Sequence, residues 1–338
     1  MFSPYGTERA ALACHEETEI TMTKRRNRES CLVLEMPSGR DLLRRITTGL
    51  GITNDGESAH APKLARRSSA VAMKSRKMNV EDGLSSAFAG SLSVTRPTGP
   101  NPRALPPPHI IAPTRQHTAT VVVLHGFTCN GHDFADELLP PLRSRLSRDE
   151  FGSLRFVFLT APMREVSCYG DPKPEHHAWH DYWTDHGGDE GRPDIEEDID
   201  SGQLDWTRQQ VHAIMDAEAA LLGGDMGRVA LVGQSQGSCT ATHCALTHPQ
   251  QPAGLFCSIG MLYTHTPVPP ERNGLQIFTF NGAADDCIAC CLSLRSYARL
   301  LDAGYQLRMH VQPDVGHQGC TDEEVDLLVE ALGCWGLV

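Results

Sequence analysis

The apolar positions of this chain change character near residue 118. Before it they come in short snatches, such as Cys31-Leu-Val-Leu34 and Leu42-Leu-Arg-Arg-Ile46, broken by charges, serines and glycines. None is long or periodic enough to bury a core, so residues 1–117 are expected to form a largely disordered N-terminal arm, with an amphipathic turn or two around 41–51. Residues 96–115 are rich in proline, including Pro106-Pro-Pro108, and suit an extended linker. Beyond the linker, Ala119-Thr-Val-Val-Val-Leu124 is a β-branched run of the kind that fills a central strand of a parallel sheet.

Strands and helices then alternate. A helix is predicted over 133–146, with Leu138, Leu139, Leu142 and Leu146 recurring on one face, and a strand over 154–159. A long polar insertion follows from Met163 to about Gly202, rich in Asp, Glu, His and Gly and carrying Trp179 and Trp183. Loops of that length are uncommon in a compact domain unless they shape a site. A helix over 203–222 ends at Gly223-Gly224, and strands are predicted over 254–259, 275–280 and 306–311, with helices over 287–303 and 322–332. The alternation predicts a single α/β domain over 118–338, a mainly parallel central sheet with helices on both faces.

Between two of these elements lies Val229-Ala-Leu-Val-Gly-Gln-Ser-Gln-Gly-Ser238, four apolar residues running into Gly233-Gln234-Ser235-Gln236-Gly237 and on into a helical stretch. A strand, a sharp turn and a helix in that order hold a serine clear of its own backbone, which a nucleophilic serine requires. Without that context the five-residue pattern is also what an ordinary glycine-rich turn with a capping serine looks like. A nucleophilic serine needs a base and a group to orient the base, in the order serine, acid, histidine, each after a late strand. The predicted strand 275–280 leads to Asp285 and Asp286, and the last predicted strand leads to Asp314 and His317. Ser235, Asp285 and His317 are therefore the candidate triad, with Asp286 and then Asp314 as alternative acids. The oxyanion hole is expected from the backbone N–H of Gln236 and of Phe127, in the loop His125-Gly126-Phe127 after the first predicted strand.

Charge narrows the partners. The net charge of −12 divides into +6 over residues 1–118 and −18 over the rest, and so acidic a domain argues against a nucleic-acid substrate. The arm reads as a solvated extension, with a basic tether to an acidic partner or membrane surface as the alternative. No apolar run reaches the length of a membrane span and no secretory signal is evident. Twelve scattered cysteines suit unpaired thiols in a reducing, cytoplasmic setting. Cys287-x-x-Cys290 lacks a second pair of zinc-site spacing and falls in a predicted helix, so it reads as free thiols. His176, His177, His180, Asp181, Asp185 and His186 match no zinc signature and read as a solvated loop, so no metal or organic cofactor is expected.

Taken together, His125-Gly126, Gly233-Gln-Ser235-Gln-Gly237, Trp179-His-Asp181, Asn281-Gly282 leading to Asp285, and Gly316-His317 resemble the phospholipase/carboxylesterase family of α/β-hydrolases, which includes the acyl-protein thioesterases. The likeness covers about 118–334 and none of the arm. It implies an α/β-hydrolase fold and a serine hydrolase of carboxylic esters or thioesters, whose substrate is a lipid, a small molecule or an S-acylated protein. It also implies that Trp179 and Asp181 shape the acyl pocket. Where the family has His-Gly-x-x-Asp-Pro, this chain has Asn281-Gly-Ala-Ala-Asp285-Asp286, which keeps the acid open between the two aspartates. That altered turn and the insertion also leave room for a catalytically weak binding module of the same fold. Oligomeric state is not legible.

Overall fold

Alternate residues of a strand point to opposite faces of a sheet, and in the run 119–124 both sets are apolar, so a cover is needed on each side. The computed structural model of the chain describes residues 21–24, 30–34, 103–169, 175–183 and 198–338. The turn expected around 41–51 lies outside them, as do Asp185 and His186. In the arm, Thr21–Lys24 (β1) and Ser30–Leu34 (β2) are strands, which the sequence reading assigns to no element. His109–Ile111 (β3) is a strand inside the proline-rich stretch. The domain proper runs through Ala119–Leu124 (β4), Gly131–Arg145 (α1), Arg148–Ser153 (α2) and Leu154–Leu159 (β5). The insertion folds into two small hairpins, Met163–Glu165 (β6) with Glu175–His177 (β7) and Tyr182–Trp183 (β8) with Asp198–Ile199 (β9). Then come Ser201–Leu221 (α3), Val229–Gln234 (β10), Gln236–Thr247 (α4) and Gly254–Ser258 (β11). Gln276–Gly282 (β12), Cys290–Asp302 (α5), Gln306–Gln312 (β13) and Asp322–Cys334 (α6) complete the order.

The main sheet has the order β1-β2-β13-β12-β11-β10-β4-β5-β3. From β13 to β5 every pair is parallel, while β3 joins β5, and β2 joins β13, antiparallel. The β4 run splits as its pleat requires. Val122 and Leu124 join the core that includes residues of α3, α4 and α5, and Val121 and Val123 join the one that includes residues of α1 and α6. The fold is the α/β-hydrolase type. Local signals set the helix ends: Asn130 caps α1 by accepting from the His132 and Asp133 N–H groups at 3.0 Å each, and Thr321 caps α6 by accepting from Glu324 N–H at 3.2 Å. Helix α5 starts at Cys290 rather than 287, because the Cys287 and Ile288 N–H groups turn back to Asp285.

A buried carboxyl sits in the first turn of α6. Burial pushes the Glu324 carboxyl up from 4.5 to about 7, against hydrogen bonding from the Ser258 hydroxyl and from backbone at Cys320 and Thr321. The folded state thus favours the protonated form, so this contribution to stability is full below the unfolded value and lost as pH rises through about 7. Glu324→Gln should therefore gain stability relative to the parent between pH 5 and pH 8, by about 1–3 kcal/mol. Thermal melts across that range check it, and a pH-independent difference would refute it.

Candidate active site

Strand β10 lies between β4 and β11, and its C-terminal end feeds directly into α4. The link is Ser235 alone, at φ 52 and ψ −123, a backbone region that a non-glycine residue occupies only under constraint. The constraint is close approach. A Cβ at Gly233 would overlap the backbone of Gly237 and Ser238, and one at Gly237 would overlap the carbonyls of Leu124 and His125. Gly233 lets strand and helix meet with one residue between them, and Gly237 lets the start of the helix pack on the end of β4. Ser235 N–H donates to Ser258 O at 2.9 Å, tying the turn to β11.

Two loops at the same rim complete the constellation. His317 Nε2 lies 2.8 Å from Ser235 Oγ, and His317 Nδ1 lies 2.8 Å from Asp285 Oδ2. An ionised carboxylate only accepts, so Nδ1 carries the proton and Nε2 is left to accept from the serine hydroxyl. The other oxygen, Asp285 Oδ1, accepts from Cys287 N–H at 2.9 Å and Ile288 N–H at 2.8 Å. The acid turn and the histidine loop are joined by Ala283 N–H to Gln312 O and Ala284 N–H to Val315 O, both 2.9 Å. Asp285 is the acid that faces His317. Asp286 and Asp314 are exposed, and Asp314 takes the positive-φ position of its turn at φ 59. Burial disfavours the imidazolium of His317, but hydrogen bonding and charge from Asp285, with Cys287 alongside, outweigh it and raise His317 above the ordinary imidazole value.

The backbone donors expected for an oxyanion flank Ser235. Gln236 is the first residue of α4, so its N–H has no carbonyl one turn back to bond. Gly126, which precedes Phe127, packs beside Ser235. The Phe127 ring sits edge-on to His176 and Tyr182, with centroids 5.7 Å apart in each case.

Trp179 is 0 % exposed. Its indole N–H donates to His125 O at 2.8 Å and its backbone N–H to Gln236 Oε1 at 2.9 Å, while its carbonyl accepts from Thr207 Oγ1 at 2.6 Å. Gln236 Nε2 donates in turn to His180 O at 3.0 Å. Asp181 holds the insertion to itself, accepting from Ser167 N–H at 2.7 Å and Ser167 Oγ at 2.6 Å. The side-chain roles of Gln236, Thr207 and Gln203, which accepts from Asp181 N–H at 2.8 Å, were missed. Only the glutamine after Ser235 stood out in the sequence, and for its backbone.

Among the described residues no group of three or more His, Cys, Asp or Glu is placed to hold a metal, and no helix is long and apolar enough to cross a membrane. His177 Nδ1 lies 2.7 Å from Ala161 O, and His180 is buried with its Nε2 2.8 Å from the Tyr263 hydroxyl. Burial pushes the Cys290 thiol up to about 12.

A parallel sheet with a serine on a strained strand-to-helix turn, meeting a histidine and an aspartate from two later loops, defines the serine-hydrolase class of the α/β-hydrolase fold. Within it, the model of the phospholipase/carboxylesterase family matches residues 105–328, and the chain belongs to that family. Acyl-protein thioesterase 1 of Neurospora crassa is 25% identical over 233 residues, 67% of this chain and 90% of that protein. Lysophospholipase-like protein 1 of mouse is 24% identical over 214 residues, covering 62% and 84%. Among solved structures, Zea mays acyl-protein thioesterase 2 superposes with a TM-score of 0.54 at 22% identity, covering 68% of this chain and 98% of that one.

The assignment of Asp285 yields a direct test. In Asp285→Asn the stabilising charge is gone, so the His317 ring should titrate at lower pH than in the parent, whereas Asp286→Asn should leave it in place. Ring NMR titration checks both. Equal effects of the two substitutions would contradict the geometry.

Proposed function

We propose that this protein hydrolyses carboxylic esters or thioesters through an acyl-enzyme on Ser235. The observation that carries the proposal is the unbroken chain from Ser235 Oγ through His317 to Asp285, with 2.8 Å at each link. His317 Nε2 takes the hydroxyl proton as Oγ attacks the acyl carbon. The tetrahedral oxyanion is held by the Phe127 and Gln236 N–H groups, and the positive helix end at Gln236 adds to the field there. Protonated His317 then gives its proton to the departing alcohol or thiol, leaving the acyl-serine. A water, deprotonated by the same imidazole, attacks that ester, and collapse returns the proton to Ser235 and frees the acid. Asp285 keeps its charge throughout, holding the ring in the required tautomer and balancing the imidazolium. These groups complete the reaction without help from a metal or organic cofactor.

An acyl substrate is supported by the relatives, one named as an acyl-protein thioesterase and another as lysophospholipase-like. The substrate is thus an acyl ester or thioester carried by a protein, a lipid or a small molecule.

Ser235→Ala should fold as the parent does and lose about 10³-fold or more in turnover of a p-nitrophenyl ester. A fluorophosphonate probe should label the parent at Ser235 and not the variant. Full turnover in Ser235→Ala would overturn the proposal, and absence of labelling in the parent would favour a binding module instead.

A further inference from the structure

The histidine of His125-Gly126 takes no part in the steps above, yet it is fully buried and its ring meets the carbonyl of Gly126, the residue before Phe127. Its Nδ1 lies 2.6 Å from Gly126 O, and its Nε2 accepts from Ala161 N–H at 3.0 Å. Because Nε2 must accept, the ring is neutral and its single proton sits on Nδ1, donating to Gly126 O. Burial, reinforced by His177, lowers the pKa of His125 to about 4, against the bond to Gly126 that raises it. The neutral tautomer is therefore the form present at ordinary pH.

The acceptor matters because a peptide unit is rigid. Gly126 C=O and Phe127 N–H belong to one plane and point in opposite directions. Cys129 N–H also donates to that oxygen, at 3.2 Å, and the shorter bond from the imidazole adds a second grip on the carbonyl that aims the N–H and, by drawing electron density to the oxygen, makes it a stronger donor. We propose that His125 is a positioning residue for the oxyanion hole, acting through the Gly126–Phe127 peptide. The surrounding contacts hold the imidazole itself: the Trp179 indole lies against it with centroids 5.0 Å apart and donates to His125 O. Thr128 N–H donates to His177 O at 3.0 Å, pinning the far side of the same loop to β7. The role rests on the hydrolase reading, because an aimed N–H acts only where an oxyanion forms.

Two amide substitutions separate this role from simple packing. In His125→Asn the amide nitrogen stands where Nδ1 was and keeps a donor for Gly126 O. In His125→Gln the amide stands where Nε2 was and keeps the partner of Ala161 N–H. Turnover of a p-nitrophenyl ester, counted per fluorophosphonate-titrated site, should fall about 30-fold in kcat for His125→Gln with KM within about threefold, the loss expected for a misaligned oxyanion donor. His125→Asn should recover most of that loss. Affinity for a trifluoromethyl ketone, whose adduct carries an oxyanion, should fall in parallel with kcat. In the parent, nitrogen NMR should find the His125 proton on Nδ1, a reading that needs no variant. Equal kcat for the two folded amide variants, or a parent proton on Nε2, would overturn the role of His125 alone. A parent without Ser235-dependent turnover would overturn the hydrolase reading and this inference with it.

Discussion

Everything at this rim depends on a single backbone compression, the passage from β10 to α4 through one residue at φ 52. Such a conformation costs about 1–3 kcal/mol and persists only where its surroundings over-determine it. Here they do. Strand β10 is paired on both sides, helix α4 is buried from Gln236 to Leu246, and Ser235 N–H is fixed to Ser258 O. The side chain cannot fold back into the turn, so Oγ is presented outward. The same compression brings the first N–H of α4 to that spot, so the hydroxyl and the helix-start N–H are presented together.

Two histidines at this rim show how position sets protonation. His125 is buried among His177, Trp179 and backbone, with no carboxylate against it among the described residues, and burial drives it toward the neutral form. His317 is also penalised by burial, but it faces a carboxylate whose second oxygen is held by two backbone N–H groups, and that carboxylate raises its proton affinity. The same residue type thus supplies a fixed donor at one place and a proton carrier at the other.

The insertion between β5 and α3 also has a mechanical place. Where it is described, Trp179 reaches both segments that flank Ser235, through its indole to His125 and through its backbone to the Gln236 side chain. Thr207 on α3 holds it from behind. A displacement of this segment would loosen both together. Its indole N–H and carbonyl are buried groups that would otherwise lack partners, so the bonds that position the loops also meet the cost of burying Trp179.

Sequence alone determined the layered fold and the identity of the strained turn, because both rest on short-range patterns. Apolar runs of strand length, glycines two before and two after Ser235, and turn residues after each late strand are all local. It also brought Ser235, Asp285 and His317 forward by their order along the chain. What it left open was decided by tertiary contact. Asp285 and Asp286 are adjacent and chemically identical, and only the return of the Cys287 and Ile288 N–H groups and the proximity of the 313–317 loop distinguish them. The partners of Trp179 are decided by tertiary contact too, since a tryptophan in a polar loop carries no mark of which groups it meets. The strand at 109–111 escaped for the same reason: a three-residue edge strand among prolines owes its existence to β5 beside it, and that pairing is written in the sheet, not in the segment.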